Sequence, residues 1–327
     1  MDVGHINIKS LICGYGKGNN SFAVPSYSIN QIIEKPTLIA IIGKNGSGKS
    51  TFLRTLAGIQ KSLEGTVSIN NKDLTKLKAK QRACLVSYMP SYNPKINYIT
   101  TEEYLKLGWY PHSNKELKKE KIDQVLVDLD LTHKRNNFLD QLSDGEMQRA
   151  TIARNLIQDS PVMIFDEANS HLDPKHQQKT FELFYRLVQE KHKIIFFSTH
   201  MVKESLHYAH KIWLLSENLL ISKIPEQIII DKDLEKNQLS FDLPTFKVTQ
   251  TQHKINVRLI GDGIPFQYTR FAFMRYGIDV VCNKQCHFSV IIQQTKENHY
   301  TWMVKKDTII IKEFLDLSDL IEYLLTN

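Results

Sequence analysis

Three shortages narrow the reading first. The 327-residue sequence has no apolar run near the roughly 18–20 residues that a membrane-crossing helix needs. Any membrane role is therefore expected to come through a partner. The opening MDVGHINIKS lacks the long apolar stretch of a secretory leader, and a cytoplasmic chain is expected. Cysteine is scarce: Cys13, Cys84, Cys282 and Cys286 are too few and too scattered for a disulfide framework. Cys282, Cys286 and His287 stand close together, but this spacing without a fourth ligand is a weak metal signal, and reduced thiols are expected. Nor is there a block of one charge. Lys and Arg outnumber Asp and Glu by 42 to 35, and from Ser240 onward ten basic residues face nine acidic ones. The dispersed +7 gives little support for nucleic acid and suits nucleotide phosphates or an anionic membrane surface equally well.

What the sequence does contain is three short apolar runs, Leu38–Ile42, Val162–Phe165 and Ile194–Phe197. None alternates with polar residues, as expected of strands covered on both faces of a parallel sheet. Each ends in chemically capable residues: Gly43 to Thr51, Asp166 with Glu167, and Ser198-Thr199-His200. Ligands of open α/β sheets bind beyond the carboxyl ends of the strands. Between the runs, 114–131 and 143–157 read as amphipathic helices. From about Phe246 the texture changes to short strands at 246–260, 287–293, 299–304 and 308–311, with helices at 265–276 and 318–325. The expected organisation is a large domain over 1–238 and a small α+β domain over 239–327, joined through the polar stretch 231–244.

Gly43-Lys44-Asn45-Gly46-Ser47-Gly48-Lys49-Ser50, followed by Thr51, fits G-x-x-x-x-G-K-[ST] between a strand and a helix expected over 49–57, with Gly58 as its stop. Glycines let successive backbone N–H groups turn inward on a phosphate, and the helix start adds partial positive charge. Lys49 supplies a full charge to the β- and γ-phosphates of ATP, and Ser50 is placed to hold Mg²⁺. Asp166, at a strand end, suits a magnesium ligand acting partly through water, and Glu167 suits a residue that polarises an attacking water.

Further segments resemble the ABC ATPases over about Ile6–Ser222. Leu142-Ser143-Asp144-Gly145-Glu146 is similar to the family's signature, and Ser143 with Glu146 also makes a capping box. The resemblance implies that Ser143 and Gly145 cap the γ-phosphate of ATP held by a second subunit, in a head-to-tail homodimer. Asp144 and Glu146 stand where Gly and Gln are usual; Glu146 is expected to point away from the anion or to pair with a cation, Arg149 being one candidate. Ser170-His171-Leu172-Asp173 resembles the D-loop, so Asp173 is expected near the partner's phosphate loop. His200 matches the switch histidine, and Tyr15 the aromatic that stacks on adenine. Ser91, after Tyr88-Met89-Pro90, replaces a glutamine that would reach Mg²⁺, so lower hydrolysis or looser coupling is expected. The implied fold is an α/β P-loop core with a parallel sheet, an antiparallel β part and a helical subdomain, followed by the small α+β domain.

Tyr88, Tyr92, Tyr98, Tyr104, Trp109 and Tyr110 crowd a 25-residue stretch with Pro90, Pro94 and Pro111, where composition alone would place about two aromatics. In the family this region meets an integral membrane permease subunit. Gly108-Trp109-Tyr110-Pro111-His112 is similar to a stretch of iron–siderophore, haem and cobalamin importers. The resemblance thus implies an ATPase on the inner face of the membrane, with no direct nucleic-acid partner. A nucleotide-gated switch with weak hydrolysis is the alternative. The tail is expected to serve dimerisation or regulation.

Overall fold

The structure, a computed structural model, describes residues 4–16, 22–23, 27–92, 96–112, 116–216, 219–239, 255–281, 286, 288–295, 299–306 and 309–326. It contains two compact units, Met1–Ile221 and Ser222–Asn327.

The first unit is built on a six-stranded sheet in the order Leu220–Lys223, Lys211–Leu215, Thr37–Ile42, Ile194–Ser198, Val162–Asp166, Val86–Met89. The last five pair in parallel. The three apolar runs of the sequence are three adjacent interior strands of this sheet, and Val162–Asp166 and Ile194–Ser198 are buried at every residue. With neither face reaching water, no alternation can arise. Successive side chains serve opposite faces. Phe197 meets Phe181 of the helix Pro174–Lys191 at 5.5 Å between ring centres, while Phe196 meets Trp213 at 5.3 Å. Register then decides where the chemistry lands. Ser198 stands beside both Asp166 and Ile41, and Met89 beside Phe165, so four carboxyl ends arrive at one edge.

A second, antiparallel sheet runs Ile29–Ile33, Ile6–Ile12, Glu64–Ile69, Lys72–Asp73. The helices Thr101–Leu107, Lys119–Asp128 and Asp144–Gln158 pack on one another as a helical group. The middle one is shorter than the 114–131 expected. Asp130, at φ 53°, has already left the helix, and 113–115 lie outside the described residues. Arg135 ties the group together by bonding both Glu102 and Asp123.

In the second unit a five-stranded sheet runs Ile278–Val280, Ile255–Ile260, Phe288–Gln294, Tyr300–Lys306, Ile309–Phe314, parallel at the first two junctions and antiparallel at the last two. The helices Gly263–Arg275 and Leu317–Thr326 accompany it. Trp302, fully buried, donates its indole N–H to Thr269 Oγ1 at 2.9 Å. The helix Pro225–Ile230 packs on Gly263–Arg275, and the compact unit begins at Ser222, ahead of the boundary expected at 238/239. Cys282 and His287 lie outside the described residues, as do 246–254 of the strand expected over 246–260.

Candidate nucleotide site

The strand Thr37–Ile42 runs into the glycine-rich loop, and the helix Lys49–Leu56 starts directly after it. Two loop glycines answer different demands. Gly48 caps the helix at φ 91°, a left-handed conformation costly for any residue with a Cβ. At Gly43 a Cβ would stand 2.5 Å from Leu215 O and 2.6 Å from Ser47 Oγ, so the requirement there is close approach. Gly46 turns at φ 82°, with open space where its side chain would be. At the far end Gly58, at φ 68°, ends the helix as its sequence position predicts.

Lys49 lies almost wholly inside the loop, donating from Nζ to Gly43 O at 2.8 Å and Lys44 O at 3.0 Å. Burial pulls its pKa below the ordinary value, against the opposing charges of Glu167 and Asp166. Ser47 Oγ is buried and has no hydrogen-bond partner among the described residues. An orphaned hydroxyl, a curled backbone and an ammonium in one cradle fit a bound phosphate. Thr51 accepts or donates one bond with the Tyr15 hydroxyl at 2.9 Å, and Arg54 donates to that hydroxyl at 2.7 Å. Tyr15 is thereby held beside the phosphate-loop helix with 40% of its surface open. Asn45 and Ser50 occupy the loop and the first helical turn.

Asp166 is buried, and both of its oxygens are held. Ser198 Oγ donates to Oδ1 at 2.6 Å, and the Tyr88 hydroxyl donates to Oδ2 at 3.3 Å. Burial first, then the Asp166 charge, pushes the Tyr88 phenol well above its usual range, so it stays a donor. Glu167 N donates to Ser198 Oγ at 2.9 Å, and Glu167 itself sits at φ 56°. That conformation, unfavourable for a non-glycine residue, turns its carboxylate away from its neighbour and toward His200, whose Nε2 is 3.1 Å from Glu167 Oε1. Asp166, Glu167, Ser198 and His200 therefore form one bonded group across two adjacent strand ends.

Ser143 caps the helix Asp144–Gln158 through the expected box with Glu146. The cation on Glu146 is Lys134, 3.2 Å away, and not Arg149, which is buried elsewhere. A Cβ at Gly145 would stand 3.1 Å from His171 O, so this glycine lets the D-loop come close. Asp173 is occupied as the cap of Pro174–Lys191, accepting from His176 N at 3.0 Å with Nδ1 of the same histidine 2.7 Å away. Ser91 lies half-buried in the bend after Val86–Met89, and the residue of that segment bonded to Asp166 is Tyr88.

Sequence reasoning passed over Tyr88 as a site residue because its hydroxyl is set by strand register. It also missed Gln148. That side chain is buried and donates to Glu167 O at 3.2 Å and Ala168 O at 3.0 Å, tying the signature helix to the carboxylate turn. The aromatic stretch divides. Tyr92, Tyr98 and Tyr110 are 71%, 87% and 69% exposed, whereas Tyr104 is fully buried. Gly108 abuts Arg154 O, and His112 Nε2 lies 2.9 Å from Gln158 O, which anchors that stretch to the signature helix.

Residues 28–170 match the family model described as ABC transporter, and 253–325 the one described as iron ABC transporter C-terminal domain. The chain is 29% identical over 247 residues to a probable siderophore transport system ATP-binding protein of Bacillus subtilis (strain 168), covering 74% of this chain and 88% of that protein. It is 30% identical over 208 residues to a petrobactin import ATP-binding protein of Bacillus anthracis, covering 62% and 76%. Among solved structures, an ATP-binding cassette dimer in a post-hydrolysis state bound to ADP and Pi superposes with a TM-score of 0.61 at 24% identity, over 67% of this chain and 98% of the other. With the phosphate loop, the paired carboxylates and the capped signature helix in one unit, this chain belongs to the ABC transporter ATP-binding family.

Proposed function

We propose that the chain powers import of an iron chelate, haem or a cobalamin-like compound, hydrolysing ATP on behalf of separate integral membrane subunits. The observation that carries the ATPase part is the bonded group at the sheet edge, in which Glu167 and Asp166 are held in different directions beside the phosphate loop. The cargo class rests on the siderophore and petrobactin relatives and on the iron-transporter match of 253–325. No described helix is long and apolar enough to cross a membrane. We place the chain on the inner face, meeting the permease through the exposed Tyr92, Tyr98 and Tyr110.

Two copies arranged head to tail would enclose ATP between the phosphate loop of one and Ser143 and Gly145 of the other. Tyr15 offers its ring to adenine. Gly43, Asn45, Gly46, Ser47, Gly48, Ser50 and Thr51 surround the phosphates, and Lys49 carries charge to the β- and γ-groups. Asp173 is assigned to the partner's phosphate loop, a role that requires it to share or release the His176 bond. Ser50 and Asp166, with Ser91 at longer reach, would hold Mg²⁺, which when bound neutralises charge on the phosphate oxygens. Glu167 orients water for in-line attack on the γ-phosphorus as the bond to the ADP oxygen breaks. His200, bonded to Glu167, stabilises the transferring group.

The test is to copurify the native complex and ask which of iron chelates, haem and corrinoids stimulates its ATPase. Stimulation by one class supports the reading and names the cargo. An ATPase indifferent to all three overturns the assignment of cargo and leaves the nucleotide site standing.

A further inference from the structure

The hydroxyl of Ser143 has a single proton, and its destination is fixed. Ser143 Oγ donates to Glu146 Oε2 at 3.0 Å, and Ser143 N donates to the same oxygen at 2.9 Å. Glu146 N returns a bond to Ser143 Oγ at 3.3 Å. The other oxygen, Glu146 Oε1, lies 3.2 Å from Lys134 Nζ and 3.9 Å from His133 Nε2. The side chains of Glu146 and Lys134 are only 16% and 25% exposed. Burial alone would raise the Glu146 pKa, but the Ser143 N–H and the Lys134 ammonium together hold it below the ordinary value.

Two consequences follow for an anion at this helix start. An ionised carboxylate in the first turn opposes the partial positive charge that makes such a terminus attractive to phosphate. Lys134 offsets that charge. The Ser143 proton is also engaged in a charge-assisted bond, stronger than one to a neutral acceptor. To donate to a phosphate, Ser143 must first give that bond up.

We propose that Glu146 and Lys134 act as a coupled pair of positioning residues that sets how readily the signature helix closes on ATP held by a second copy. Glu146 withholds the Ser143 proton and so restrains closure. Lys134 cancels the accompanying negative charge and so keeps closure possible. The inference rests on the head-to-tail reading given above. It concerns the signature position where a carboxylate engages the serine assigned to ATP of a second copy.

The test uses the full chain carrying Glu167→Gln throughout, so that ATP is retained, and reads the ATP concentration at half-maximal dimerisation by light scattering. Glu146→Gln keeps the cap, because glutamine serves that position equally. It is expected to lower the half-maximal concentration about tenfold, the scale of a hydrogen bond to a charged group. Lys134→Ala should raise it about threefold, the scale of a partly exposed ion pair, and Lys134→Arg should restore it. In the Glu146→Gln background Lys134→Ala should have no effect. ATP affinity of the dilute monomer should be the same in every variant, since the chain's own phosphate loop is untouched. An equal Lys134→Ala effect in both backgrounds, or no gain from Glu146→Gln, overturns the coupling. If ATP drives no dimerisation in any variant, the head-to-tail reading itself falls and takes the coupling with it.

Discussion

The two units use buried polar groups in opposite ways. In the first, Asp166, Ser198, Glu167 and Tyr88 are bonded to one another at the open edge of a sheet, and the bonds aim their functional atoms at a shared space. In the second, Trp302 and Thr269 satisfy each other inside the core, and Leu317 N donates to Gln227 Oε1 at 3.0 Å to fix the start of the last helix. The same chemistry serves ligand binding where strands end together, and folding where they do not. The polar geometry of the first unit therefore points outward to a shared site. In the second, the buried pairs Trp302–Thr269 and Leu317–Gln227 hold the scaffold together.

That contrast can be broken most sharply at Trp302. Trp302→Ala removes a fully buried ring and orphans Thr269, and should destabilise the second unit by about 3–5 kcal/mol in denaturant unfolding. If the contrast holds, ATP affinity of the first unit stays unchanged; a parallel loss would mean that the second unit shapes the nucleotide site. A smaller effect is expected from Tyr88→Phe, which deletes one donor to Asp166, worth about 1 kcal/mol. The ATP affinity gained on adding Mg²⁺ should shrink roughly fivefold. ATP binding in EDTA should not move, whereas equal losses with and without the ion would make Tyr88 a packing residue only.

The smallest effect concerns Glu226, fully buried in the second unit. Arg275 Nε is 3.1 Å from its Oε1, off the line of a well-formed hydrogen bond. Burial raises its pKa above the ordinary 4.5, with Arg275 opposing. Above the ordinary carboxylate pKa the folded unit keeps a proton that the unfolded chain has lost. This group's contribution to stability therefore falls as pH rises from there toward the folded value. Melting curves should show wild type losing stability relative to Glu226→Gln across that interval. A pH-independent difference would place the carboxylate on Arg275 at all pH values.

Much of the first unit was legible because its signals are backbone requirements. A P-loop needs glycine where φ is positive or where Leu215 approaches, and a buried parallel strand needs an unbroken apolar run. The loop, the Asp166–Glu167 pair and the Ser143 cap were visible for that reason. Tyr88 and Lys134 were not, because their roles depend on register and on loop placement, which spacing does not encode. Arg149, three residues from Glu146, was the reasonable helical choice. The chain instead brings Lys134 across from a different segment. In the second unit, strand Ile278–Val280 went unread because three residues carry no period, and the helix Pro225–Ile230 went unread because packing, not composition, decides its partner.

The most direct test of the whole account is phosphate release from MgATP by the complex purified with its membrane subunits, wild type against Glu167→Gln. The account predicts steady release by wild type and a loss of about 100-fold or more in the variant, the scale of removing a positioned base. ATP should still bind the variant, because Lys49 and the loop are intact. No release from wild type, or equal release from both, would contradict it.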